Sequence, residues 1–204
     1  MEDPLRYQSP IPLCNDNDDL FCIKQSIRIR GKNKGAEYIE VSKMYQVKDK
    51  IIMKIDGKPY QLDEYHFHIP AEHTINGKLY PAEVHFVFYE LSDGSRSKRH
   101  RTKTPTENGC CNYDMDDNIL VIGRLIKDGR KYTDLSKLQV NTPSSYFEYD
   151  GSLTGTGDET VPVRWIVGNK YIKLPLDKIY PIAKTARPLQ PLDDRIVLFD
   201  NCHC

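Results

Sequence analysis

The sequence predicts a mostly β protein with few short helices, folded as one domain, and three observations predict it. Apolar and polar residues alternate with period two through seven separate segments, and that period sends successive side chains to opposite faces of a strand. Two Asx-Gly dipeptides sit between extended segments, the pattern of a two-residue hairpin turn. The 204 residues suit a single core, and no internal repeat or linker divides them.

SIRIR (26–30), YIEV (38–41) and KIIMKI (50–55) carry the first alternations. IDGKPY (55–60) then turns the chain, and YHFHI (65–69) extends it again. INGKLY (75–80) makes a second reversal before EVHFVFYE (83–90). Residues 92–117 break the rhythm: they are polar, basic first and then acidic, and read as a long surface loop between strands. NILVIGRLI (118–126) and VPVRWIVG (161–168) are the last two strands. DLSKLQV (134–140) and PLDKIYPIA (175–183) have brief helical spacing and predict short helices. Residues 200–204 form a tail.

Lys+Arg and Asp+Glu each total 29, for a formal net charge of zero. That removes any global electrostatic case for nucleic acid or an anionic membrane as partner. A composition 39% hydrophobic and 28% charged is that of a soluble globular protein. No run approaches the roughly 18 apolar residues of a membrane-spanning helix. MEDPLRYQSPIPL carries no secretory pattern, so an intracellular protein is expected. The six cysteines, Cys14, Cys22, Cys110, Cys111, Cys202 and Cys204, are then expected as free thiols. The terminal NCHC offers soft-metal ligands, although a disordered tail is the plainer reading. The basic run Arg96, Lys98, Arg99, Arg101 and Lys103 reads as solvated, its alternative being a grip on an anionic partner.

Chemistry concentrates in residues 64–86, which hold four of the six histidines. On a strand His66 and His68 share a face, with Phe67 opposite. If the chain returns through Asn76-Gly77 as a neighbouring strand, Glu83, His85 and Val87 share the corresponding face. Three imidazoles then converge, as a catalytic zinc requires, leaving a fourth position open. Glu64 and Glu83 each lie two residues before a histidine, placed to take its other ring N–H. The plainer reading, a chance pair of half-exposed histidines, fits an isolated His-x-His but not this set.

HFHIPAEHTINGKLYPAEVHFVF resembles the zinc-binding segment of the α-class carbonic anhydrases, in its compact bacterial-type form. QSPI (8–11), NILVIGRLIKDG, YFEYDGSLT (146–154), VPVRWIV (161–167) and ARPLQPLDDRIV (186–197) are similar to further landmarks of that family, in the family's order. The resemblance implies a large, mainly antiparallel twisted central sheet, Zn2+ as cofactor, and reversible hydration of CO2 to bicarbonate by zinc-bound hydroxide. It makes His66, His68 and His85 the zinc ligands, and Glu83 the carboxylate behind the third. Thr154 becomes the hydroxyl that accepts from the hydroxide, Glu72 the glutamate that orients it, and Tyr149 a tyrosine nearby. Val87, Val121, Leu153, Val163 and Trp165 become the apolar wall where CO2 rests.

The chain also departs from that pattern. No histidine occurs in residues 1–65, and Glu37 falls near the place of the family's proton shuttle. A carboxylate matches a zinc water poorly, so proton export should limit turnover. GTGDET (155–160) replaces the family's threonine-proline-proline run. Glu64 replaces a more usual glutamine, and its charge should make the zinc water less acidic. The N-terminal aromatic cluster is absent, and association into a homo-oligomer is one way a short chain compensates. Two alternatives to the enzyme remain open: a carbonic-anhydrase-like binding module using its surface, and a purely structural zinc, for which a fourth protein ligand is missing.

Overall fold

A computed structural model describes residues 7–15, 21–23, 25–91, 119–129, 134–155, 157 and 160–200. The strands are β1 (Pro12–Leu13), β2 (Phe21–Cys22), β3 (Arg28–Arg30), β4 (Glu37–Ile39), β5 (Met44–Gln46), β6 (Ile52–Ile55), β7 (Lys58–Ile69) and β8 (Thr74–Ile75). They continue as β9 (Lys78–Leu79), β10 (Ala82–Glu90), β11 (Ile119–Asp128), β12 (Tyr146–Ser152), β13 (Pro162–Leu174), β14 (Lys184–Thr185) and β15 (Leu198–Asp200). The long surface loop expected over 92–117, with its basic run and the Cys110–Cys111 pair, lies outside the described residues, as do residues 201–204. Cys14 is an exposed free thiol.

Twelve strands form one mixed sheet, whose main path runs β2-β15-β12-β13-β11-β10-β7-β5-β4. Most neighbours are antiparallel; β11 with β13, β14 with β7, and β15 with β2 run parallel. A small second sheet joins β1, β8 and β9. Asp56-Gly57 connects β6 to β7, and Asn76-Gly77 connects β8 to β9. All four residues have positive φ, from 50° to 78°, the backbone that two-residue hairpins need and that Asn, Asp and Gly tolerate best. No helix among the described residues is long and apolar enough to cross a membrane.

The helix expected over 134–140 is only a 3₁₀ turn at Leu135–Lys137, and that over 175–183 is one α-turn, Leu176–Ile179, running into 3₁₀ at Tyr180–Ile182. Pro181 lacks the N–H that a longer helix would use. Two strands outrun their expected limits. β7 begins at Lys58, directly after its turn, and β13 continues to Leu174.

The sheet has two buried faces. Tyr65, Phe67, Phe86, Phe88, Leu120, Ile122 and Ile166 pack on one, under Ile51, Met53 and Ile55. Val87, Val121, Tyr149, Val163, Trp165 and Val167 pack on the other, with Ile11 and Leu13. Burial on both faces explains why β10 and β11 read as near-continuous apolar runs. It also leaves the polar side chains of the second face conspicuous, and those are the histidines and glutamates.

Candidate metal centre

β7 and β10 are antiparallel, with His66 opposite His85 and His68 opposite Glu83. Directly opposed residues on one face bring their Cβ atoms within about 5 Å, so register alone gathers three imidazoles. Their ring centroids lie 5.0 Å (His66–His68), 5.4 Å (His66–His85) and 4.6 Å (His68–His85) apart. One ligand nitrogen from each falls within 4.8 Å of the others, and all three residues are buried. Burial holds His66 and His68 well below the ordinary histidine range, helped by Lys184 for His66 and by His85 for His68. Neutral imidazole is the form a metal takes.

These residues fit a metal ion. Nε2 of His68 is buried without a hydrogen-bond partner, an expensive condition that a metal relieves. His, His, His with an open fourth side is the donor set of catalytic zinc. The triplet His73, Glu83 and His85 also lies within reach of a metal, but its members are already engaged with one another. Glu83 Oε1 lies 2.9 Å from His73 Nδ1 and 3.1 Å from His85 Nε2. Glu83 Oε2 accepts from the backbone N–H groups of Glu72 and His73, at 3.0 and 2.9 Å. Burial would raise the Glu83 carboxyl, but His73 and His85 hold it well below the ordinary range.

Behind Glu83 stands Gly123, the register partner of His85 on β11. A Cβ there would lie 2.6 Å from Glu83 Oε1, so only glycine leaves room for the carboxylate. The sequence reading passed over Gly123, although a glycine inside an apolar strand already signals close approach. His73 is fully buried, with Nε2 2.6 Å from the Tyr149 hydroxyl, which donates to Ser9 Oγ at 3.1 Å. Tyr149 thus reaches the centre through His73, its ring stacked on Trp165 with centroids 6.2 Å apart. Burial pushes its hydroxyl well above the ordinary tyrosine range.

Glu72 lies across the cluster. Its Oε1 accepts from the Arg187 backbone N–H at 2.8 Å and stands 3.1 Å from His68 Nδ1. Thr154, just past the end of β12, acts on the same carboxyl. Burial raises the Glu72 carboxyl, against the pull of His85, the Arg187 amide and Thr154. Arg187 also donates to the Ser9 carbonyl at 2.7 Å and to Gln8 Oε1, which fastens the N-terminal QSPI segment beside the site. Val87, Val121 and Trp165 form one cross-strand row beside the histidines. Val163 and Leu153 adjoin it, so the five apolar residues do share one wall. The loop after Thr154 is closed by the Leu153 N–H bonded to the Val161 carbonyl, at 3.0 Å; residues 156, 158 and 159 within it lie outside the described residues.

Glu64 and Glu37 lie on the same face in one row, because Gln46 opposes both. Glu64 Oε1 is 3.6 Å from His66 Nδ1, longer than a hydrogen bond. Glu37 is exposed and paired with Lys48 at 2.5 Å; that bond and charge hold its carboxyl below the ordinary value.

A mixed sheet with a three-histidine cluster on one face that could hold a metal ion defines a class of β proteins, and comparison with known proteins narrows it. The chain belongs to the eukaryotic-type carbonic anhydrase family, whose model matches residues 6–201. It is 27% identical over 151 residues to a carbonic anhydrase from Pectobacterium carotovorum, covering 71% of this chain and 60% of that protein. It is 29% identical over 210 residues to dioscorin DB3L from Dioscorea polystachya, covering 94% of this chain and 75% of that protein. An α-carbonic anhydrase from Thermovibrio ammonificans, solved with the inhibitor sulfanilamide, superposes with a TM-score of 0.66. That pair is 25% identical, with 95% of this chain and 87% of the other covered. The matched region thus spans less than two thirds of the bacterial relative's length.

Proposed function

We propose that this chain is a zinc-dependent carbonic anhydrase that interconverts CO2 and bicarbonate. The observation that carries the reading is the joint geometry of His66, His68 and His85, with ligand atoms within 4.8 Å. Zn2+ held there supplies a Lewis acid and lowers the pKa of its bound water to about 7, a value established for carbonic anhydrases rather than derived from this chain.

The chain's own residues supply the rest. Glu83 fixes the ring of His85, and Gly123 leaves space for Glu83. Glu72, on whose carboxyl Thr154 acts, would take the hydrogen of Thr154 in the working site, leaving the Thr154 oxygen to accept one from the attacking water. That contact turns the water's O–H away from substrate and aims a lone pair at carbon. CO2 has no net dipole and needs no polar grip, so a dry wall of Val87, Val121, Leu153, Val163 and Trp165 suffices to hold it and exclude competing water.

Stopped-flow CO2 hydration on metal-quantified protein, beside His85→Ala and Thr154→Val, tests the reading. One zinc per chain and activity abolished in His85→Ala are expected. Thr154→Val should keep its zinc and lose about 10²–10³ in kcat, as when one positioned polar group is removed from a catalytic site. Zinc bound without hydration would sink the enzyme and leave the binding module. Dioscorin DB3L shows that relatives of this family carry other names.

A further inference from the structure

Arg124 follows Gly123 on β11, so strand alternation turns its side chain away from His85 and onto the opposite face, with Phe86 and Ile122. A cavity of about 280 Å³ opens there, lined among others by Phe86, Arg124, Leu138, Asn141, Ile172 and Lys173. Phe86 and Leu138 are buried and give it an apolar floor. Gly168 is the register partner of Arg124, and a Cβ on it would lie 2.7 Å from Arg124 Nε. The guanidinium therefore rests over bare backbone.

Among the described residues its charge is not answered. Nε is buried without a hydrogen-bond partner. Nη1 and Nη2 donate only to the main-chain carbonyls of Asn141 and Lys170, at 3.5 and 3.4 Å, the far limit of such contacts. Among the described residues no carboxylate acts on Arg124; burial is the one influence on it. Arg164, on the same face, shows the usual arrangement, with Glu148 and Asp56 at 2.6 and 2.7 Å. Burying a guanidinium without a counter-charge is costly, and an anion in the cavity would remove that cost.

We propose that this cavity binds a small organic carboxylate, its anionic end on Arg124 and its apolar body on Phe86, Leu138 and Ile172. The guanidinium fork matches a planar carboxylate. The volume lies just under the range of ordinary ligand pockets, about 300 Å³ upward, which restricts the body to a few carbons or one ring. An inorganic anion would leave the apolar floor without a partner. The site stands on the other face of the sheet from the histidines and does not depend on the proposed enzyme activity.

Benzoate is the probe, titrated into the full chain and followed by amide NMR shifts. In the native protein the amides of Gln139 and Asn141 should shift saturably. Arg124→Met should weaken that binding at least about tenfold. Gly168→Ala, which keeps the charge but displaces it, should do the same. Benzoate at the metal centre would shift amides around Thr154 instead and persist in both variants. Shifts confined to that region, undiminished cavity shifts in Arg124→Met or Gly168→Ala, or equal competition by inorganic phosphate would each overturn the carboxylate site.

Discussion

Gly123 shows how a residue with no functional group can decide a metal site. It stands opposite His85 and 2.6 Å, by the Cβ it lacks, from Glu83 Oε1. Gly123→Ala should push that carboxylate off His85 and lower zinc affinity about 10–100-fold, the usual cost of disturbing a ligand's hydrogen-bond partner. Competition against a chelator measures it, and unchanged affinity would show that Glu83 is not needed to hold the ring. Glu64 acts through charge. It is buried, 3.6 Å from His66 Nδ1, and its negative charge should make the zinc water less acidic than a neutral amide would. Glu64→Gln is therefore expected to move the midpoint of the pH–rate curve downward; a midpoint that rises would refute it.

At the level of elements, the strands that carry the site were legible and their limits were not. His-x-His and Glu83-x-His85 assigned each strand its shared face, because a period of two leaves no other; that the strands are neighbours was only a condition, which the register of β7 with β10 meets. β12 was visible as the motif YFEYDGSLT but not as a strand, since Asp150 and Gly151 are poor strand formers held by pairing with Arg164 and Val163. Short edge pieces such as β14 exist only because a long strand receives them, which no local pattern announces. Asp56 illustrates such long-range ties. Its turn between β6 and β7 accepts from Gln25 at 2.6 Å and from Arg164 on β13 at 2.7 Å. Burial raises its carboxyl, but those two bonds and the Arg164 charge win and hold it below the ordinary value. A folded pKa below the unfolded one contributes stability that is present above about pH 3.9 and is lost as pH falls through the folded value. Asp56→Asn should thus cost about 1 kcal/mol or less at pH 7, the pair being half open to solvent. The gap from the native protein should narrow on acidification to pH 3. Denaturant melts at both pH values check it, and a gap that widens in acid contradicts the assignment.

For the whole molecule, the proposed reaction raises the question of how a proton leaves. Four histidines lie among the described residues; three form the cluster and the fourth, His73, is fully buried between Glu83 and Tyr149. None of them can carry a proton to solvent. The row Glu64, Gln46, Glu37 does lead from His66 toward the sheet edge. Its outer member is tied to Lys48, which keeps its carboxyl low. A group that holds protons so weakly is a poor relay for one whose pKa is near 7. Turnover should therefore depend on external buffer. Imidazole is expected to raise kcat severalfold while leaving kcat/KM for CO2 unchanged, because proton export follows the chemical step. Glu37→His, with a ring pKa of about 6.5, should raise kcat in dilute buffer and reduce the response to imidazole. Stopped-flow assays of both proteins across imidazole concentrations decide this. A native enzyme indifferent to imidazole would mean that the proton already has a route, and the carboxylate row would be the first place to look for it.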